Sequence, residues 1–189
     1  GATPINEKSI PEGAEQIFLM SPKISETLKE DLAWATYALL RKTNTISVLI
    51  LMQDAFCVRG YWNAPKHISK EQVIGWFEIQ INKIGLSNMK ETLYFPQAED
   101  TELWEMLPKG THSLLVQPVL HTQSLDSSET EKNNGFVLLA SSSSYAYSNN
   151  DRAWTRAVAN KFGVEVGLKP KQQPFCLLQL SFKGKFASG

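Results

Sequence analysis

A chain of 189 residues that is 42% apolar is long enough to bury about two-thirds of its unfolded surface as one core and short for two. Nineteen basic residues balance 19 acidic ones, with a pI near 7.0, which leaves no electrostatic footprint for nucleic acid or anionic lipid. No uninterrupted apolar run exceeds the five residues of Val48–Met52, so nothing approaches the roughly 20 residues that span a bilayer.

Residues 1–22 read as an N-terminal arm rich in Pro, Glu and Ser, with one apolar island, Ile17–Met20, able to add an edge strand or pack on a surface. The start at Gly1 with no methionine or signal-peptide pattern is expected of a processed product or a cut piece, whose targeting or membrane segment lies upstream. From Ser25, a plausible N-cap, Leu28, Leu32, Ala35 and Leu39 mark one face of a helix ending near Arg41. Ile46–Met52 is apolar on both alternating faces, as in a central strand covered on each side, and Phe56–Trp62 returns as its hairpin partner. Ser69 with Gln72 forms a capping box for a second helix, whose stripe runs through Val73, Phe77, Ile81 and Ile84 to a stop at Gly85.

Thr92–Phe95 is a short strand stopped by Pro96, and Thr101–Leu107 reads as a helical turn or two. Ser113–Val119 and Phe136–Ala140 form a strand pair, and the polar stretch His121–Asn134 between them reads as a solvated loop. Ser148 with Asp151 caps a last helix carrying Trp154, Ala157, Val158 and Phe162, expected to end at Gly163. Residues 23–167 then make one α+β domain, a central antiparallel sheet flanked by its N- and C-terminal helices in the GAF/PAS-like manner. Residues 168–189 form a C-terminal tail with a local basic bias.

The search for chemistry yields no catalytic constellation. His67, His112 and His121 lack metal-ligand spacing, and Cys57 and Cys176 match no Cys-x-x-Cys pattern. Strand alternation places Cys57, Arg59 and Tyr61 on one face, where Arg59 is positioned to lower the thiol pKa, against the plainer reading of a half-buried structural thiol. With His67, these residues are the candidates for cofactor binding; no metal site is expected. Among the five tryptophans, Trp34 and Trp76 sit beside rather than within their helix stripes. Together with Tyr37 they are the candidates for partner binding, and a widened core face explains them equally well.

The blocks Leu28 to Ala35, Asn44 to Leu49, Cys57 to Trp62, Glu91 to Pro96, Leu114 to Pro118 and Asp151 to Trp154 resemble the B-type cofactor-assembly-of-complex-C proteins of plants and cyanobacteria. The similarity runs from about Ile17 to Val166 and lies in fold-determining blocks rather than in a catalytic signature. It implies a thylakoid membrane factor with an upstream anchor and a soluble domain on the stromal side of the chloroplast membrane. Such a factor helps attach a haem covalently to cytochrome b of the cytochrome b6f complex, paired with a paralogous subunit and meeting apocytochrome b, with haem bound at most transiently. The resemblance assigns no catalytic residue. A GAF-like small-molecule sensor is the alternative that the order of elements allows, and a haem-ligating enzyme using Cys57 or a histidine is a third.

Overall fold

The computed structural model describes residues 10–98 and 104–165. Its elements run β1 (Glu15–Met20), α1 (Glu26–Lys42), β2 (Ser47–Met52), β3 (Ala55–Trp62), α2 (Lys70–Ile84), β4 (Leu93–Phe95), β5 (Ser113–Leu125), β6 (Ser128–Ser141) and α3 (Asn149–Glu165). The six strands form one sheet in the order β1-β3-β2-β6-β5-β4, antiparallel at every pairing. α1 and α3 cover one face and α2 the other, the GAF/PAS-like α+β arrangement expected from the order of elements.

Strand alternation divides the apolar residues between two layers. Val48, Ile50, Cys57, Leu115, Val137 and Leu139 meet Leu32 and Leu39 of α1 and Phe162 of α3. Leu49, Phe56, Val58, Val116 and Leu138 meet Phe77 and Ile81 of α2, where the Trp62 and Phe77 rings pack edge to face with centroids 5.5 Å apart. β2 and the last part of β6 lie at the centre and are covered on both faces, which is why Val48–Met52 and Phe136–Ala140 are continuously apolar rather than alternating.

The helix starts follow the expected chemistry. Ser25 accepts from the Leu28 amide, Ser69 and Gln72 satisfy each other's backbone in a full capping box, and the Ser148 hydroxyl accepts from the Asp151 amide. α3 runs past Gly163 to Glu165. Gly163 is there for packing: a Cβ on it would stand 2.1 Å from the Leu120 carbonyl oxygen of β5. Trp104–Leu107 forms a turn closed by the Leu107 amide on the Trp104 carbonyl, rather than a helix; the first part of that predicted helical turn lies outside the described residues.

One segment takes an alternative that the sequence left open, and another differs from expectation. The apolar island of the arm is β1, six residues paired along its length with β3, from Glu15 opposite Trp62 to Met20 opposite Cys57. His121–Asn134 is not a loop: β5 and β6 continue their pairing through Leu120↔Asn133 to Leu125↔Ser128 as a two-stranded ribbon beyond the sheet. Its tip is Asp126-Ser127, with φ of 46° and 66°, the left-handed pair of a type I′ turn. At its root the register shifts between Val119 and Leu120, leaving Asn134 as the extra residue. Gly135 follows at φ 151°, where a Cβ would stand 1.8 Å from the Leu51 carbonyl oxygen.

Candidate functional site

β3 carries Cys57, Arg59 and Tyr61 on the face covered by α1, as the alternation predicts, and the three have different fates. Cys57 is fully buried, with Sγ 3.9 Å from the Thr36 hydroxyl. Burial pushes its thiol up to about 12, outweighing the Thr36 hydrogen bond and the charge of Arg59, both of which act to lower it. Of the two readings of this thiol, activation by Arg59 fails and the structural one holds, with the side chain fully rather than half buried. Desolvation dominates, the thiolate is not formed near neutral pH, and Cys57 is a packing residue.

Arg59 lies two residues further along β3 and is half-buried. Its Nε donates to the Thr36 hydroxyl at 3.0 Å and its Nη2 to the Ala33 carbonyl at 3.2 Å. The Thr36 hydroxyl can accept this bond because its own proton is given to the Leu32 carbonyl at 2.8 Å. The guanidinium is thus fixed to one turn of α1. Phe18, its cross-strand partner on β1, lies under it with the ring centroid 3.7 Å away. Tyr37 stands 5.9 Å from the same guanidinium and 5.7 Å from that of Arg41, one helical turn on. Burial lowers the Arg59 pKa from its ordinary value, against the opposing influence of Cys57 and Tyr37.

Phe18 and Tyr37 are each 49% exposed, so the cluster presents two aromatic rings and two guanidinium groups at the β1 end of the sheet. Aromatic and arginine side chains of this kind are the types that carry binding energy at protein interfaces. Among the sequence candidates the structure unites Arg59 and Tyr37, with Cys57 beneath them, and adds Phe18 and Arg41. Tyr61 is half-buried opposite Gln16 of β1. His67 is exposed on the connection to α2, at φ 64°. Trp34 is half-buried between α1 and α3, its ring 6.5 Å from that of Trp154. Trp76 is half-buried on α2, 5.0 Å from Phe77. Both tryptophans thus widen core faces, whereas Tyr37 points to solvent.

Phe18 was missed as a site residue because its partner is far along the chain, although the apolar island that holds it was visible. Arg41 carried only the signal of its spacing, four residues after Tyr37 on one helix. His112 is exposed, and His121 Nδ1 lies 3.3 Å from the Gly163 carbonyl, where it belongs to the α3 contact. Among the described residues no group of three or more His, Cys, Asp or Glu is arranged to hold a metal ion, and no helix is long and apolar enough to cross a membrane. Cys176 lies outside the described residues.

Residues 2–162 match the CCB2/CCB4 family of cofactor assembly of complex C proteins. The chain belongs to this family. A curated relative, the chloroplastic cofactor assembly of complex C protein CCB2 of Arabidopsis thaliana, is 52% identical over 159 residues. That match covers 84% of this chain and 56% of the relative, so the chain spans little more than half the length of that protein. Solved structures similar to the domain are much more distant in sequence. The domain of a two-component sensor histidine kinase protein from Sinorhizobium meliloti 1021 has a TM-score of 0.44 at 11% identity, covering 76% of this chain and 92% of that one. A far-red cyanobacteriochrome photoreceptor has a TM-score of 0.43 at 10% identity, covering 75% and 90%.

Proposed function

We propose that this domain is the docking part of a chloroplast assembly factor that helps attach haem covalently to cytochrome b of the cytochrome b6f complex. In this reading it works on the stromal side of the thylakoid membrane, paired with a paralogue of its own family, and meets apocytochrome b as part of that pair. Family membership and the chloroplastic relative support the setting. The observation that carries the binding role is the cluster of exposed Phe18, Tyr37 and Arg41 around a half-buried Arg59 that Thr36 and the Ala33 carbonyl hold in place.

Haem enters as the group being delivered rather than as a resident cofactor. Of the named candidates, Cys57 is buried with its thiol held protonated and His67 stands apart from it on the connection to α2, so neither supports a resident haem. The layer between sheet and α2 packs the rings of Phe56, Trp62, Phe77 and Phe136.

The test is co-expression with the soluble domain of a paralogue, followed by size-exclusion chromatography of the wild type and of Tyr37→Ala. A stable heteromer weakened by the substitution supports the reading. Separate monomers at micromolar concentration, with and without haem, overturn it.

A further inference from the structure

The two edges of the sheet are built differently. β4 is an edge of three residues stopped by Pro96, a length that offers little to another strand. β1 is six residues long, Glu-Gln-Ile-Phe-Leu-Met, with four apolar side chains and neither Lys nor Pro. β3 is its only strand neighbour among the described residues, so its outer row of amides and carbonyls faces away from the sheet. Natural edge strands that must stay alone are short, charged or interrupted. β1 has none of these protections along Gln16–Met20.

The charge beside that edge is also incomplete. Arg59 uses Nε and Nη2 on Thr36 and Ala33, and among the described residues no carboxylate is one of the groups that perturb it, although β1 and α1 both begin with acidic residues. Arg41 adds a second guanidinium on the far side of Tyr37. An arginine fixed in place over an exposed ring, with donors left over, matches a carboxylate arriving from outside.

Resting on the reading of this cluster as a docking surface, we infer that the β1 edge takes an extended acidic segment of a partner protein as an added strand. The partner's main chain pairs with the outer edge of β1, and one glutamate or aspartate side chain reaches the guanidinium of Arg59. Apolar side chains flanking that carboxylate lie against Phe18 and Tyr37. This is strand addition at an open sheet edge, in which main-chain bonds supply affinity and the side-chain pair sets the register.

The probe is a short fluorescent peptide alternating valine and threonine around one central glutamate, titrated against the full chain, with a glutamine counterpart as control. Binding is expected to weaken at least about tenfold with the glutamine peptide and with Arg59→Gln, and to fall with added salt. Phe18→Asp places a carboxylate beside Arg59 at an exposed position and is expected to abolish binding; it tests the site if Arg59→Gln unfolds the domain. Amide hydrogen exchange is expected to slow in Glu15–Met20 when the glutamate peptide binds.

The inference is overturned if the two peptides bind alike, if neither binds, or if exchange slows elsewhere while β1 is unchanged. Self-association that protects β1 together with Ser128–Asn134, or protection of β1 that is lost when residues 1–9 are deleted, also overturns it, by identifying a second copy or the preceding segment as the occupant. Formation of the heteromer in the co-expression test, with no peptide binding at β1, refutes the added strand but not the assembly role.

Discussion

Phe18 and Arg59 are directly opposite on neighbouring strands, and the Arg59 guanidinium carbon lies 3.7 Å from the centroid of the Phe18 ring. The pair joins an exposed edge strand to a side chain already fixed by α1. Their coupling, measured by a double-mutant cycle of Phe18→Ala and Arg59→Gln in urea unfolding, is expected to be about 0.5–1 kcal/mol, the range for a partly solvated cation over a ring. A coupling near zero would mean that Phe18 merely lies beside Arg59.

Cys57 makes the folded domain sensitive to alkali. Its folded pKa, about 12, lies above the ordinary 9.0, so the fold prefers the protonated thiol. The unfolded chain loses its proton first as pH rises, and stability is lost between about 9 and about 12. Cys57→Ala is expected to flatten this part of the stability profile relative to wild type, as followed by urea midpoints at each pH. Comparison with the variant isolates the thiol from other groups, including Tyr147, whose burial raises its pKa in the same direction. In a Cys176→Ser background the native protein is expected to resist a thiol reagent at pH 8 and to react once unfolded.

The same substitution has opposite effects at two helical glycines. Gly75 in α2 has open space around the position of a Cβ, so Gly75→Ala is expected to stabilise by up to about 1 kcal/mol through helix propensity. Gly163 in α3 would place its Cβ 2.1 Å from the Leu120 carbonyl oxygen. Gly163→Ala must push α3 away from β5 and is expected to destabilise by about 1–3 kcal/mol despite the gain in propensity. Thermal and urea unfolding of the two variants check the signs.

The ribbon tip offers a stabilising change. Ser127 sits at φ 66°, a region glycine enters without steric cost. Ser127→Gly is expected to raise stability by a few tenths to about 1 kcal/mol and to slow amide exchange at Thr122 and Thr130. No change in exchange there would show that the turn does not limit opening of the ribbon.

Much of the fold was legible from local pattern. Helix starts at Ser25, Ser69 and Ser148 are set by side chains reaching amides three residues away, so short-range sequence determines them. The continuous apolar runs of β2 and the end of β6 likewise declare strands covered on both faces. The ribbon at residues 120–134 was hidden because most of its residues are polar and exposed and show no hydrophobic period, and because its turn is Asp126-Ser127 rather than a glycine pair. Asn134-Gly135, which resembles a hairpin signal, marks the bulge instead.

For the candidate site, sequence determined that Cys57, Arg59 and Tyr61 share a face, since a strand repeats every two residues. Only the tertiary structure decided what that face meets. Burial under α1 turned the neighbour of Arg59 from a potentially activated thiol into a protonated one. Pairing of β1 with β3 brought Phe18 from 41 positions earlier in the chain onto Arg59, a contact that no local pattern encodes.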